Sequence, residues 1–306
     1  MKKKIRIGIP RAFLYYRYYI LWKTFFEGLG CKVILSPITN KLIIDEGRKT
    51  IFDDYCLSSK IYMGHISFLC DKCDYVLIPR VFSYGKDKKV CNKFNDIYNI
   101  VLTIFPELDI ISYDIDNLKF KYEILGFINM GFKVNKNIFK ILYYYYLGKR
   151  KSKQYNLTMI RNQENVLRTN KPKVLIISHP YVIYDEFFGN IIVNYLKDNE
   201  IQVLYSDRLD RGESTIYAND YLKLPCCLYV KEIIGSFSYY KNVIDGVIFL
   251  SSSLCEFFSY INEIIYHNIE DIPFINFVLD DMICNYNIFN KMNSFVNNVK
   301  KTYNNK

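Results

Sequence analysis

Residues 5–36, IRIGIPRAFLYYRYYILWKTFFEGLGCKVILS, decide the fold of this 306-residue chain. They contain a short apolar strand, IRIGI, an aromatic helix over residues 12–29 that ends at Gly30, and a second strand, KVILS. Apolar strands that alternate with helices predict βαβ units and a parallel sheet. Because the aromatic side chains of residues 13–26 recur at helical spacing, we predict that this stripe belongs to the core.

The same alternation continues along most of the chain. Helices are predicted over 41–50 and 60–70, followed by the strand DYVLIPR and a short strand or loop at 108–112. Residues 117–170 lack strand signals, and the alternation then restarts with the strands KVLIIS, QVLYS, DGVIFL and PFINFVLD. We therefore predict an α/β fold with two Rossmann-like doubly wound parallel-sheet domains joined by a helical segment. The predicted parts are an N-terminal domain at 1–115, a helical connection at 116–170 and a C-terminal domain at 171–306.

Composition and charge exclude several classes of protein. Half of the residues are apolar and 17% are aromatic, which indicates a globular protein. The net charge of +10 comes from lysines that are mixed with acids, without zinc-finger spacing or an aromatic RNA-binding signature, so nucleic-acid binding is not expected. No apolar run approaches the roughly 20 residues that cross a bilayer, and Pro10 and Arg11 interrupt the N-terminal apolar stretch. We expect a cytoplasmic protein without a membrane partner.

The number and spacing of the cysteines suggest free thiols or metal ligands. Nine cysteines without a secretory signal favour thiols or metal ligands over disulfides. Cys56, Cys91 and Cys255 lie far apart in sequence and do not form the CxxC pairs of small zinc ribbons. They could meet only if the fold brought several strand ends to one cleft, which favours an enzyme-like site between domains. The Cys70–Cys73 pair has CxxC spacing but no second pair, so a structural role is expected for it.

Known nucleotide-binding loops are absent from the sequence. GIPRAF, and not a GxGxxG loop, follows the first strand, and no Walker A motif occurs, which disfavours a dehydrogenase or an ATPase. Ligands bind parallel sheets at the carboxyl ends of strands. Polar residues that follow predicted strands are therefore candidates for binding, and two arginines among them suit a carboxylate or a phosphate. These candidates are Arg11, Thr39, Asn40, Arg80 and His179.

Several segments occur in an order that resembles a known family. The opening, GIPRAFLYYRYYILWKTFFEGLGCKVILSPITNK at 8–41, contains a Tyr-rich helix and an S-x-x-T-N-K ending. The later segments are Cys56-Leu-Ser-Ser-Lys60 with Gly64-His65, DYVLIPR, Val90-Cys91-Asn92-Lys93, SHPYVIYD at 178–185, DGVIFLSSSLCE at 245–256 and IPFINFVLDD at 272–281. Together they are similar to the 2-hydroxyacyl-CoA dehydratases and the related CoA enzyme activase-associated proteins.

The resemblance implies a cofactor, a partner and site residues. In the dehydratase branch three such cysteines hold an oxygen-sensitive [4Fe–4S] cluster in the interdomain cleft. The resemblance therefore implies Cys56, Cys91 and Cys255 as its ligands. It also implies that the protein accepts electrons from an ATP-dependent activator protein, works with a second related subunit and acts on an acyl-CoA in anaerobic metabolism. It adds Lys60 and His65 to the binding residues listed above. No catalytic residue is assigned.

Two alternatives remain open at this stage. The loop after Cys56 is Leu-Ser-Ser where the family has x-Pro-x, and Glu-Phe-Phe follows Cys255 where the family has Gly-Pro-Asp. The chain could therefore be a non-catalytic scaffold or an activase-associated binding subunit without a cluster. It could also bind a small molecule through Arg11, Thr39, Asn40 and His179 without metal.

Overall fold

The computed structural model of the protein describes residues 4–83, 91–116, 121–222, 228–269, 271–279 and 287–306. Of residues 92, 93, 121, 122, 256, 257 and 287 it describes the backbone alone. The chain divides into two compact units, Met1–Tyr155 and Asn156–Lys306. Each unit is built on its own parallel sheet with helices, and the predicted α/β class with two Rossmann-like sheets is confirmed.

The first unit follows the alternation of strands and helices seen in the sequence. Its strands are β1 Arg6–Ile9, β2 Lys32–Leu35, β3 Tyr75–Leu77, β4 Arg80–Ser83, β5 Ile110–Ile111 and β6 Asp114–Asp116. Its helices are α1 Tyr15–Gly28, α2 Lys41–Thr50, α3 Leu57–Leu69, α4 Asn92–Asn95, α5 Ile97–Ile104 and α6 Lys121–Val134, followed by α7 Ile138–Leu167, which contains the division between the units.

The main sheet of the first unit has the strand order β2-β1-β3-β5, and all neighbours are parallel. The chain goes from β1 to β2 on one side and then returns to β3 on the other side of β1. The strand order therefore reverses between β1 and β3, and open α/β sheets bind ligands at such a point, beyond the carboxyl ends of the strands. Pro10 and Arg11 follow β1 there, and Ile78 and Pro79 follow β3.

A small two-stranded sheet extends the main sheet of the first unit. β4 pairs with β6 in parallel, and the backbone N–H groups of Ile78 and Arg80 donate to the carbonyls of Ile111 and Tyr113 at 3.0 Å each. The ladder between β3 and β5 thus continues into β4 and β6. The predicted strand at 74–80 is interrupted before β4, where Pro79 lacks an N–H to donate.

The aromatic stripe predicted for the core is buried in part: its four tyrosines, Tyr15, Tyr16, Tyr18 and Tyr19, are half-buried, whereas the aromatic residues in the later part of α1 lie in the core. Trp22, Phe25 and Phe26 are at most 2% exposed. The Phe25 ring centre lies 4.9 Å from that of Phe127 on α6, nearly perpendicular to it, and the Trp22 indole donates to the Tyr113 hydroxyl at 3.0 Å. Burial of a large apolar side chain stabilises a fold by about 1.5–3 kcal/mol. These side chains therefore fix α1 against the sheet and against α6.

The second unit repeats the topology of the first. Its sheet has the order β10-β9-β7-β8 with parallel neighbours, so the strand order reverses between β7 and β9. Every residue of β7 and β9 is buried, which is typical of strands covered by helices on both faces. The strands are β7 Lys173–Ser178, β8 Gln202–Tyr205, β9 Gly246–Ser251 and β10 Phe274–Val278. The helices are α8 Pro180–Ile183, α9 Gly189–Asp198, α10 Arg211–Ala218, α11 Leu228–Tyr240, α12 Glu256–Tyr266 and α13 Asn287–Asn304.

Some predicted bounds differ from the structure. α1 begins at Tyr15 and not at 12, and α3 begins at Leu57 and not at 60. The helices α4, α5, α8 and α10 were not predicted. α6 and α7 lie within the predicted connection at 116–170, but the three-part division of the chain stays a prediction. Among the described residues, no helix is both long and apolar enough to cross a membrane.

Candidate functional site

Arg11 lies where the strand order of the first sheet reverses. Its backbone N–H donates to the Ser36 hydroxyl at 2.8 Å, and its carbonyl accepts a hydrogen bond from the Tyr16 hydroxyl at 3.4 Å. Because Ser36 directly follows β2, the first of these bonds ties the ends of two neighbouring strands together. The guanidinium carbon lies 6.0 Å from the ring centre of Tyr15. The Nε atom of Arg11 is buried and has no hydrogen-bond partner within the described part of the chain.

Thr39 and His65 form a buried pair beside the same sheet edge. The Thr39 hydroxyl lies 3.1 Å from Nε2 of His65. Thr39 precedes the N-cap of α2, and His65 lies in the middle of α3. These two helices touch through their backbones, since a Cβ at Gly64 would come within 1.9 Å of the Ile43 carbonyl oxygen. The close helix packing therefore holds His65 next to Thr39.

The imidazole of His65 is kept neutral by its surroundings. Burial, and secondarily the positive charge of Arg11, lower the pKa of His65 from 6.5 to about 3. Its Nδ1 atom has no hydrogen-bond partner among the described residues. No described acidic side chain forms an ion pair with Arg11 either. The site is therefore polar and positively biased, without a described carboxylate to balance it.

Phe13, two residues after Arg11, packs between the rings of two helices. Its backbone has a φ of +48°, a left-handed conformation that is strained for a bulky residue. The ring centre lies 4.9 Å from that of Tyr62 on α3 and also 4.9 Å from that of Phe94 on α4. Phe13 therefore links the helix that follows Cys56 to the helix that follows Cys91.

The three candidate ligand cysteines share one position in the fold: each directly precedes the first residue of a helix. Cys56 precedes α3, Cys91 precedes α4 and Cys255 precedes α12. In each case the cysteine carbonyl accepts backbone hydrogen bonds from the residues three and four positions later, at 2.9–3.4 Å. Cys56 lies in the connection between α2 and α3. The Sγ atom of Cys56 also lies 3.3 Å from the Ser59 hydroxyl.

The other described cysteines occupy different positions. Cys31 is buried between α1 and β2, Cys70 caps the C-terminus of α3, and Cys73 precedes β3. Burial raises the pKa of Cys31 and of Cys73 to about 11, and it also raises the pKa of Cys70. These thiols are protonated at neutral pH, in keeping with a packing role. Cys226 and Cys227, also interpreted as packing residues, lie outside the described residues, as do Asp280 and Asp281.

Three of the predicted binding residues contact other groups of the chain. Asn40 is the N-cap of α2 and accepts a hydrogen bond from the Ile43 N–H at 3.2 Å. Lys60 donates to the Asp53 carbonyl at 3.1 Å. Arg80 forms an ion pair with Asp114 at 2.6 Å. Their predicted role in binding stays a prediction.

His179 lies at the corresponding point of the second unit, directly after β7. It is 8% exposed and is surrounded by aromatic rings. The ring centres of Tyr181, Tyr229 and Phe258 lie 4.8, 5.3 and 4.6 Å from that of its imidazole. Phe258 belongs to the first turn of α12, three residues after Cys255. His179 is therefore packed against the helix that begins after the candidate ligand of this unit.

A partly buried polar network after β8 was not predicted from the sequence. The Tyr184 hydroxyl donates to Asp207 at 2.6 Å and accepts a hydrogen bond from Nε of Arg208 at 2.9 Å. The Arg208 guanidinium carbon lies 3.9 Å from the ring centre of Tyr205. The sequence SDR at 206–208, directly after QVLY, was a signal that could have identified it, since polar residues there follow a strand.

The family comparison decides the assignment. The family described as "CoA enzyme activase uncharacterised domain (DUF2229)" matches residues 6–209, about two thirds of the chain. The chain belongs to this family. The match includes Cys56, Cys91 and the Arg11, Thr39 and His65 site, whereas Cys255 lies beyond it. It therefore confirms the activase-related part of the resemblance. No curated protein matches this member of the family.

Solved structures resemble this activase-related chain only distantly. The SBP FpvC from Pseudomonas aeruginosa, in complex with Ni²⁺, has a TM-score of 0.30 and 10% identity, with 99% of this chain and 96% of that chain covered. The same protein with Mn²⁺ gives the same score and identity, with 99% and 98% covered. Zn(II)-bound AdcA from Streptococcus pneumoniae has a TM-score of 0.25 and 9% identity, with 99% and 57% covered. The metals in these names belong to those proteins.

Thiolates are the usual ligands of iron–sulfur clusters, so the three cysteines fit such a group in chemical type. Within the described ranges, however, no three side chains of histidine, cysteine, aspartate or glutamate come together in a group that could hold a metal ion. The thiolate chemistry of the three cysteines thus fits a cluster, whereas the described residues do not show them gathered into a ligand group.

Proposed function

We propose that the protein is an iron–sulfur, electron-accepting component of a CoA enzyme activase system, related to the 2-hydroxyacyl-CoA dehydratases. Its membership of the CoA enzyme activase family supports a role in such a system. The proposed cofactor is a [4Fe–4S] cluster, and the proposed ligands are Cys56, Cys91 and Cys255. The proposed partners are an ATP-dependent activator protein and a related second subunit, and an acyl-CoA is the proposed substrate.

The observation that carries this proposal is the shared position of the three cysteines before helices. Anionic groups are stabilised near helix N-termini, and α3 and α12 are long enough to supply this effect to Cys56 and Cys255. The described cysteines outside the trio lie elsewhere, and their thiols are protonated at neutral pH. The shared position of these three cysteines before helices supports their choice as the proposed ligands.

A bound cluster would supply one-electron chemistry, and an iron without a protein thiolate could act as a Lewis acid. The chain's own residues would hold the cluster and adjust its properties. The Ser59 hydroxyl beside Cys56 Sγ is placed to donate a hydrogen bond to the sulfur. Such hydrogen bonds are one of the factors that set the reduction potential of a cluster.

The proposed division of labour with an activator follows from the loops after the strands. GIPRAF replaces a glycine-rich phosphate loop after β1, and the sequence contains no Walker A motif. ATP hydrolysis would therefore belong to the partner, and this chain would receive the electron.

A second candidate is a cluster-free binding subunit of the same system. It is favoured by the finding that the described residues form no group of three metal-binding side chains. Such a subunit would bind a partner or a small ligand through the sheet edges and would need none of the three thiolates.

The deciding experiment is the measurement of iron, acid-labile sulfide and the visible spectrum after anaerobic purification and reconstitution. The proposal expects about four irons and four sulfides per chain. The content should fall in the Cys56→Ser, Cys91→Ser and Cys255→Ser variants. Cys70→Ser is the matched control, because the serine hydroxyl can replace the Cys70 thiol that donates to the Ile66 carbonyl at 3.3 Å. An iron-free protein after reconstitution would favour the cluster-free subunit.

A further inference from the structure

The predicted binding residues of the first unit fall into two groups. Lys60 and Arg80 direct their charges at acidic or carbonyl groups of the chain, and Asn40 caps a helix. Arg11 and His65 differ, because each contains a buried side-chain nitrogen that has no hydrogen-bond partner among the described residues. A buried polar atom without a partner is costly for a folded protein, and a ligand can remove that cost.

The two residues lie in one place. Arg11 follows β1 at the point where the strand order reverses, and its N–H is anchored to Ser36 after β2. Thr39 lies further along the connection from β2 to α2, and its hydroxyl contacts His65. The lowering of the His65 pKa by the positive charge of Arg11 is in keeping with this placement. The carboxyl ends of β1 and β2 therefore bring a guanidinium, a hydroxyl and a neutral imidazole together.

We propose that Arg11, Thr39 and His65 form an oxyanion-binding site that takes the carboxylate or phosphate group of a small ligand. The site does not depend on a cluster, and it can exist in either of the functions considered above.

The chemistry of the three groups fits an oxyanion. A guanidinium presents several N–H donors that match the oxygens of carboxylates and phosphates. With Nδ1 protonated, the neutral imidazole of His65 can donate to the anion while its Nε2 accepts a hydrogen bond from the Thr39 hydroxyl, and neither group brings a competing negative charge. No described carboxylate forms an ion pair with Arg11, although Arg80 at the same edge is paired with Asp114. An anion from solution can therefore bind Arg11 without displacing an acidic side chain.

The test is thermal unfolding of the full chain in inorganic phosphate, in acetate and in chloride at equal ionic strength. Phosphate or acetate should raise the melting temperature beyond chloride, since a ligand of the folded state stabilises it by mass action. The rise should disappear in Arg11→Gln and persist in Arg80→Gln, in which the lost guanidinium was already paired. A rise in phosphate alone identifies a phosphate ligand, and a rise in acetate alone identifies a carboxylate.

Arg11→Lys and a spectroscopic measurement protect the test against a folding defect. Arg11→Lys keeps the charge but loses the fork of donors, and we expect about tenfold weaker binding of the same anion. In the ¹⁵N-labelled wild-type protein, the anion should shift the imidazole nitrogens of His65 and leave those of exposed His267 unchanged. An equal response in chloride, an equal rise in Arg11→Gln, or an unchanged His65 signal would overturn the proposal. A protein that carries iron but shows no response to phosphate or acetate would overturn the oxyanion site and leave the proposed cluster intact.

Discussion

Gly47 of α2 lies so close to Lys60 of α3 that a Cβ at position 47 would come within 1.8 Å of the Lys60 carbonyl oxygen. The obstacle is backbone and cannot rotate away. Gly64 makes the reciprocal approach from α3 to the carbonyl of Ile43. The two glycines thus set the distance between α2 and α3, and with it the contact between Thr39 before α2 and His65 within α3.

Replacement of Gly47 by alanine should therefore separate the two helices. We expect Gly47→Ala to lower the free energy of unfolding by about 3 kcal/mol or more, the upper range for an overpacked core. Urea unfolding followed by circular dichroism measures this loss. The matched control is Gly212→Ala in α10, where a Cβ would meet only the Asp210 carboxylate oxygen at 3.0 Å. A loss in Gly47→Ala no larger than in the control would contradict the close packing.

The neutral His65 should make the protein sensitive to acid. The pKa of His65 is about 3 in the folded protein and about 6.5 in an unfolded chain. Between these values the unfolded chain binds a proton that the folded protein does not, so stability falls as the pH drops from about 6.5 towards 3. The loss from this one group is on the order of 4 kcal/mol at the low end of the window.

The variant His65→Asn separates the effect of His65 on acid stability from the effects of carboxylates. Urea unfolding across this pH window should show a weaker pH dependence in His65→Asn than in the wild type. His267→Asn, at an exposed position, should follow the wild type. A steep pH dependence that persists in His65→Asn would assign the acid sensitivity to other groups.

The fold was largely predictable because strand and helix patterns are local. The runs KVLIIS and DGVIFL are continuously apolar, which indicates strands covered on both faces, and both are buried throughout. The start of α3 was missed because Cys56 is not a usual N-cap residue and its side chain makes no capping hydrogen bond. Pro79 was a local signal for the interruption of the strand DYVLIPR, because proline has no N–H to donate to the ladder. The pairing of β4 with β6 could not be predicted, since it depends on a strand that is distant in sequence.

The site was predictable as a set of residues but not as a set of contacts. Position after a strand was enough to select Arg11 and Thr39. The sequence could not show that Arg80 would meet Asp114, because that pair depends on the register between β4 and β6. Nor could it show that Arg11 would have no acidic partner among the described residues, because a long-range ion pair depends on tertiary structure.

The cysteines with raised pKa values should react slowly with alkylating agents. Cys31 and Cys73 have a pKa of about 11 because of burial, against an ordinary value of 9.0. At pH 8 this difference lowers the thiolate fraction about a hundredfold, and the thiolate is the reactive form. Peptide mapping after timed iodoacetamide treatment should show alkylation of both at least that much slower in the folded protein than in urea. The unfolded chain is the control for each cysteine, and equal rates in the two states would contradict the burial of these thiols.

The network around Arg208 should stabilise the second unit. The Arg208 guanidinium lies over the Tyr205 ring and donates to the Tyr184 hydroxyl, which donates in turn to Asp207. Arg208→Leu leaves the Tyr184 hydroxyl without this donor and the partly buried Asp207 without a nearby cation, and we expect a loss of about 1–3 kcal/mol. Tyr184→Phe removes the hydroxyl that links the two charges and should cost about 1–3 kcal/mol.

Because the variants break one network, the double variant should lose less than the sum of the two single losses. Urea unfolding of all four proteins measures this, and strictly additive losses would show that Arg208 and Tyr184 act independently.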